Sequence, residues 1–333
     1  MVISRTPYRI SFFGGGTDYP VWFREHGGRV LSTTIDKYCY IFLRELPPFF
    51  DHKYAVVWSR IEYVNSIEEI FHPSVRECLR FMGVKQGLAV HHEGDLPARA
   101  GVGSSSAFTV GLLNSLYAFQ GKMVSRMELA LAAIHVEQEL LQESVGCQDQ
   151  ISAAFGGLNL IEFQGEKKFS VTPVTVSGSR LEELQSWCLL FFTGLSRTAS
   201  EIAAEQIKTV QAKTRELSII QEMVAEGVKI LTQGICLEEF GRLLHESWKL
   251  KRSLTSLISN SRIDSIYERG IKAGACGGKI LGAGGGGFIL FFVPPEKQSS
   301  VREELKELLE VPVRFEDSGS RIIFYSRDEG KGV

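Results

Sequence analysis

The sequence predicts an α+β chain of two tightly packed halves, and three observations carry that prediction. Runs of β-branched and aromatic residues alternate with helix-capping patterns through the first half. Residues 197–273 then read almost wholly as helix, with apolar residues spaced three and four apart. No repeat or low-complexity linker separates these two textures, so a soft boundary near 175–185 falls inside one body. The expected units are residues 1–180 and 181–333, packed around a shared cleft.

Taken in order, residues 2–13 and 29–46 read as strands. Between them Thr17-Asp18-Tyr19-Pro20 offers a helix cap and a proline suited to a first turn. Ser66 with Glu69 makes a capping box for a helix running to about Met82, and residues 87–93 read as another strand. A serine-rich turn leads into an apolar helix over 105–120. Ser125 with Glu128 caps the next, to about Gln142. Strands are expected around 157–176, then the helical stretch, a glycine-dense turn or hairpin at 277–293, a helix near 296–309 and two terminal strands.

Composition excludes several classes. The 37 basic and 39 acidic side chains nearly cancel and no block of one sign stands out, so nucleic-acid coating has no support. The six cysteines are scattered and none forms a C-x-x-C pair, which argues for reduced thiols and against a zinc or disulfide framework. The opening MVISRTPYRISFF has arginines where a signal peptide needs its apolar core, and the apolar run Phe288–Val293 is far too short to span a bilayer. The expectation is a cytoplasmic protein with no nucleic-acid or membrane partner.

Three glycine-rich segments carry the chemistry. Gly101-Val102-Gly103-Ser104-Ser105-Ser106 lies between a strand and a long helix. Glycines let a backbone approach a ligand closely, and a helix start supplies unpaired N–H groups for a phosphate. A capped helix start after a flexible turn accounts for the same residues. Lys279-Ile280-Leu281-Gly282-Ala283-Gly284-Gly285-Gly286-Gly287 contains a literal G-x-G-x-x-G, but a strand-like run follows where dinucleotide binding needs a helix. No H-R-D, D-F-G or G-x-x-x-x-G-K-[ST] element exists, which excludes protein kinases and P-loop NTPases. In Arg9-Ile10-Ser11-Phe12-Phe13-Gly14-Gly15-Gly16-Thr17-Asp18, a strand delivers three glycines, a hydroxyl and a carboxylate to one place. Such a floor suits a polyhydroxylated ligand, while Thr17 or Asp18 acting only as a helix cap stays open.

Together and in this order, the three segments resemble the motifs of the GHMP kinases, the family of galactokinase, homoserine kinase, mevalonate kinase and phosphomevalonate kinase. The match spans Arg9 to Phe288. Leu96-Pro97 before Ala100-Gly101-Val102-Gly103-Ser104-Ser105 looks like the family's P-x-x-x-G-L-G-S-S. The resemblance implies a ribosomal protein S5 domain 2-like N-terminal lobe, a ferredoxin-like C-terminal lobe, and ATP with Mg2+ as cofactors. It implies that residues 101–106 hold the ATP phosphates and that Ser105 and Glu137 hold the ion. Asp149, in Gly146-Cys147-Gln148-Asp149-Gln150, would face the acceptor hydroxyl, and Arg9 would neutralise charge at the transfer point. Gly14, Gly15, Gly16, Thr17, Asp18, Gly284, Gly285 and Gly286 are the implied substrate contacts. Adenine contacts are expected in the 54–65 stretch with Trp58 and Ser59.

The first segment departs from galactokinases, which place a Glu-His pair where this chain has Gly15-Gly16. That opens space and removes a negative charge, which suits a larger or phosphorylated acceptor. The wording of residues 7–20, and the stretches 193–199 and 245–251, are similar to the branch acting on the anomeric hydroxyl of D-glycero-D-manno-heptose 7-phosphate. Arg197, Lys249 and Lys251 are then candidates to grip the existing phosphate. A kinase of fucose or another unphosphorylated hexose, a non-catalytic sugar and nucleotide sensor, and a homodimer all stay open.

Overall fold

The computed structural model describes residues 1–165, 168–194 and 199–326. Strands β1 (Val2–Phe13) and β2 (Gly28–Glu45) form the backbone of the first half. Their alternation of β-branched, aromatic and hydroxyl side chains is buried on both faces over most of β1. At 18 residues, β2 is long enough to pair with β1 along its length, with β5 (Leu88–Gly94) over its second half and with β6 (Asn159–Phe163) over its first. β3 (Tyr54–Val57) and β4 (Ile61–Val64) extend the sheet beyond β5, and β7 (Phe169–Pro173) extends it beyond β6. A second sheet has the order β11-β8-β10-β9, from β8 (Cys188–Phe192), β9 (Gly277–Ile280), β10 (Phe288–Phe292) and β11 (Leu309–Glu310). The terminal strands β12 (Phe315–Glu316) and β13 (Arg321–Tyr325) return to β2 and β1. Sheet membership therefore does not follow the division at residue 180.

Helices cover these sheets. The first half holds α1 (Pro20–His26), α2 (Pro73–Phe81), α3 (Ser104–Phe119), α4 (Arg126–His135), α5 (Gln148–Phe155) and α6 (Gly178–Ser186). The expected helical stretch becomes α7 (Ala199–Thr209), α8 (Thr214–Thr232), α9 (Leu237–Leu254) and α10 (Ser261–Lys272), and α11 (Gln298–Glu304) follows. One apolar core runs through both halves. Phe240 of α9 meets Phe13 of β1 at 5.1 Å and Phe292 of β10 at 5.2 Å, so one ring joins the two sheets. A fully buried phenylalanine of this kind contributes about 1.5–3 kcal/mol. Among the described residues no helix is long and apolar enough to cross a membrane. All six thiols are free.

Four local expectations need correction. The helix expected from Ser66 starts only at Pro73, capped by His72, and Glu69 instead accepts from the Asn65 N–H at 3.1 Å. Proline has no N–H to give and restricts the residue before it, so a helix can begin at Pro73 but not run through it. Neither Thr17 nor Asp18 caps α1, whose N-cap is Tyr19 without a side-chain bond. The Ser125–Glu128 capping box forms as expected, but at Val136 the helix widens into a π-helical turn, Val136–Leu140. The C-terminal helix is shorter than expected: a 3₁₀ turn at Pro295–Lys297 precedes it, and it ends at Glu304.

Candidate active site

The N-terminus of α3 forms one wall of a cleft. Gly101 (φ +84°) and Gly103 (φ +75°) adopt the left-handed conformation open to glycine, and Gly103 is the N-cap with no side chain to occupy the orphan N–H groups. The helix start is thus left for an anionic ligand. Within the loop Val102 is buried and its carbonyl accepts from the Arg9 backbone N–H at 3.0 Å, which fixes the loop to β1. Ser104 Oγ accepts from the Arg99 N–H at 3.1 Å and Ser105 is exposed. Ser106 Oγ turns inward and donates to Glu137 Oε2 at 2.9 Å.

Opposite the loop stands a salt bridge. Arg9 Nε and Nη2 donate to Asp149 Oδ1 and Oδ2 at 2.8 and 2.9 Å, and Nη1 donates to the Gly101 carbonyl at 2.6 Å. Arg9 is 3% exposed, whereas the Asp149 side chain keeps 26% and opens to the cleft. A Cβ on Gly103 would stand 3.3 Å from Arg9 Cγ and 3.4 Å from Asp149 Oδ2, so only bare backbone separates the loop from this pair. Asp149 lies in the first turn of α5. That helix start is anchored by Asp18, whose Oδ2 accepts from the Gln148 N–H at 3.4 Å while Oδ1 accepts from the Gly16 N–H at 3.0 Å. Burial and then the nearby Asp149 charge raise the Asp18 pKa.

The other expected residues divide. Gly15, Gly16 and Asp18 line the cleft. Gly14 packs on the Arg29 carbonyl, and the Thr17 hydroxyl is spent on the Gly14 and Arg29 carbonyls, both at 2.8 Å. In the third segment Gly282 and Ala283 reach the cleft. Gly284 lies against the Ile258 backbone and the Gly285 N–H donates to the Ile258 carbonyl at 2.8 Å, while Gly286 belongs to the same turn. Lys251 is buried and its Nζ donates to the Gly282 carbonyl. Lys249, two residues away, is exposed and pairs with Glu246 at 3.1 Å. Arg197 lies outside the described residues.

Glu137 lies against the loop of residues 101–106, fully buried on the π-helical turn. The hydroxyls at this carboxyl are those of Ser106 and Thr109 rather than Ser105, and Gln150 Nε2 also donates to Oε2. Its Oε1 has no hydrogen-bond partner, and burial raises its pKa to about 7. A buried carboxylate with one oxygen unpaired fits a cation, and Mg2+ takes few protein ligands when phosphates and water supply the rest. Among the described residues no group of three or more acidic, histidine or cysteine side chains could hold a metal by itself.

Two buried polar side chains near the cleft escaped the sequence reading. Lys279 is 3% exposed, donates to the Phe12 carbonyl at 2.9 Å, and burial pushes its pKa well below the usual lysine range. Gln206 of α7 joins the Tyr19 hydroxyl (3.3 Å) to the Ala283 carbonyl (3.0 Å). Lys279 opens the third glycine segment, which is a signal in hindsight. Gln206 sits in an ordinary amphipathic helix that offers none.

Comparison with known proteins agrees with this geometry. The GHMP kinases N terminal domain matches residues 65–157 and the GHMP kinases C terminal domain matches residues 230–311, together more than half of the chain. D-glycero-alpha-D-manno-heptose 7-phosphate kinase of Campylobacter jejuni is 29% identical over 320 residues, covering 91% of this chain and 93% of that one. L-fucokinase/L-fucose-1-P guanylyltransferase of Bacteroides fragilis is 28% identical over 344 residues, covering 91% of this chain but 35% of the relative. The crystal structure of a D-glycero-D-manno-heptose 1-phosphate kinase from Bacteriodes thetaiotaomicron superposes with a TM-score of 0.81 at 24% identity, over 98% of this chain and 100% of that one. With a bare glycine–serine loop facing an arginine–aspartate pair, and both family domains matched in order, this chain belongs to the GHMP kinases, phosphotransferases that move a phosphoryl group from ATP to a hydroxyl.

Proposed function

We propose that the enzyme transfers the γ-phosphoryl group of ATP to the anomeric hydroxyl of D-glycero-D-manno-heptose 7-phosphate, giving the 1,7-bisphosphate for nucleotide-activated heptose synthesis. The observation that carries the reaction is the Arg9–Asp149 pair set against the loop of residues 101–106 with no side chain between them. Phosphoryl transfer needs positioning and charge neutralisation more than covalent help. The loop amides and the start of α3 bind the ATP phosphates. Asp149 accepts the proton of the acceptor hydroxyl, and Arg9 holds that carboxylate in place while offsetting charge at the transfer point. Glu137 would hold Mg2+ together with a loop serine, Ser105 by the family resemblance or Ser106 by its contact with Glu137, and the ion would supply charge neutralisation on the phosphates.

Trp58 supports a nucleotide-base site beside the loop. It stacks on Phe71 at 6.4 Å and meets His72 at 4.8 Å, and His72 in turn stacks on Phe108 of α3 at 4.7 Å. Gly15 and Gly16 leave the sugar end of the cleft open, and the Campylobacter jejuni relative supports a heptose phosphate as acceptor. A second reading, an unphosphorylated sugar such as fucose, is favoured by the Bacteroides fragilis relative.

The test is ATP consumption with magnesium across the heptose 7-phosphate, the free heptose, fucose, galactose and mannose. Turnover confined to the 7-phosphate supports the proposal. Preference for a free sugar overturns the acceptor and leaves the kinase. ATP binding without turnover of any acceptor overturns the kinase reading in favour of a sensor.

A further inference from the structure

The buried floor of the cleft gathers Arg9, Lys251 and Lys279 around Asp18 and Asp149. Most of these charges have assigned partners. Arg9 and Asp149 satisfy each other in a bidentate pair, and Asp18 is held by two backbone amides. Lys279 is tied to the Phe12 carbonyl, on the far side of the first glycine segment. The hydrogen-bond partner of Lys251 is a neutral carbonyl, that of Gly282, and the side chain lines the cleft. An ammonium has three donors, and burying its charge is costly unless an anion arrives.

The position of that carbonyl decides what Lys251 faces. Gly282 and Gly101 touch backbone to backbone, since a Cβ on Gly282 would stand 2.5 Å from the Gly101 Cα. The Gly101 carbonyl is the one that receives Arg9 Nη1 at 2.6 Å. Lys251 and Arg9 are therefore anchored on adjoining turns, both beside the phosphate loop. A phosphate already on the acceptor would lie across the sugar from the hydroxyl that faces Asp149, away from this point.

We propose that Lys251 is a catalytic residue of the transfer itself, its ammonium contacting the phosphoryl group in flight rather than a phosphate carried by the acceptor. This rests on the kinase reading above. In the step, the acceptor oxygen forms a bond to the γ-phosphorus and its proton passes to Asp149. The bond from the γ-phosphorus to the β,γ-bridging oxygen breaks, and its electron pair leaves with ADP. Lys251 keeps its protons throughout and offsets the charge on the transferring oxygens. Burial first and the Arg9 charge second lower its pKa to about 8, against the opposing pull of Asp18 and Asp149. The Lys251 charge in turn helps hold down the pKa of the buried Lys279. The active ammonium is thus present below about pH 8 and lost as pH rises through that value.

The experiment compares wild type, Lys251→Met and Lys251→Arg for kcat and KM from pH 6 to 10, on a phosphorylated acceptor and its unphosphorylated counterpart, with thermal melts alongside. Lys251→Met should lower kcat by ~10²–10³-fold on every acceptor that the wild type turns over. In wild type kcat/KM should fall on the alkaline side near pH 8, and in Lys251→Arg that limb should move upward, because guanidinium does not titrate there. An unchanged kcat with KM raised only for the phosphorylated acceptor would overturn the proposal in favour of a grip on the acceptor's own phosphate. A fallen kcat with an unmoved alkaline limb in the arginine variant would overturn it in favour of a purely structural anchor. Should the wild type accept only a free sugar, the heptose reading fails while these comparisons proceed on that sugar.

Discussion

The loop before α3 and the turn at Gly282–Gly287 are both glycine-dense, and Gly103 of the loop uses the residue for the opposite end from the turn. At Gly103 glycine keeps a surface bare: a Cβ there would meet Arg9 and Asp149 no closer than 3.3 Å, which a small side chain would nearly fit, whereas a Cβ at Gly101 would already strike the Leu281 carbonyl at 2.4 Å. In the turn, glycine lets one backbone lie on another. A Cβ at Gly282 would strike the Gly101 Cα at 2.5 Å, and one at Gly287 would strike the Ala100 carbonyl at 2.3 Å. The Phe288 N–H also donates to the Ala100 carbonyl at 3.1 Å. The second glycine cluster is the bed on which the first is held. A glycine run therefore signals close approach, but not whether the visitor is a ligand or another stretch of chain.

Substitutions separate the two uses. The largest effect is expected on the bare side, where Asp149→Asn should lower kcat by ~10²–10⁴-fold while ATP binding, followed by calorimetry, changes little. An unchanged rate would remove Asp149 as the base. On the bed, Gly282→Ala should cost about 3 kcal/mol, from overpacking together with a left-handed backbone at φ +69°. Its melting temperature should drop on the order of 5 °C. A variant that melts like wild type but no longer binds sugar would reverse the roles drawn here. Gly103→Ala should be milder in stability, about 1 kcal/mol for the left-handed backbone, and should lower kcat about tenfold by nudging the catalytic pair. Equal losses of stability at Gly103 and Gly282 would erase the contrast. Smallest of all, Lys249→Ala should leave kcat unaltered and stability within about 0.5 kcal/mol, because its pairing with Glu246 is solvent-exposed.

Much of the fold was legible in local patterns. The strands at 2–13 and 29–46 carry their periodicity and composition within the segment, and the box at Ser125–Glu128 closes within four residues, so neighbours alone predict them. The helix expected from Ser66 failed because a local cap pattern was weighed without Pro73, seven residues on, which limits where a helix can begin. The candidate site was legible as a set of segments, and Arg9, Asp149 and the loop of residues 101–106 do converge. Their contacts were not legible. Which serine meets Glu137, or which glycine meets a ligand and which meets the chain, depends on elements far apart in sequence.

The two lysines of α9 show where the division lies. By itself the sequence determined that Lys249 and Lys251 sit on one helix, and that a two-residue step turns them to different sides of it. It also determined the order of glycine segments that marks a phosphate-handling cleft. Only the tertiary structure decided which side of α9 faces inward, and so which lysine is a solvated surface charge and which lies beside Arg9. The physical reason is that periodicity records the angle between side chains along one element. The environment each side chain enters is set by residues that another part of the chain brings against it.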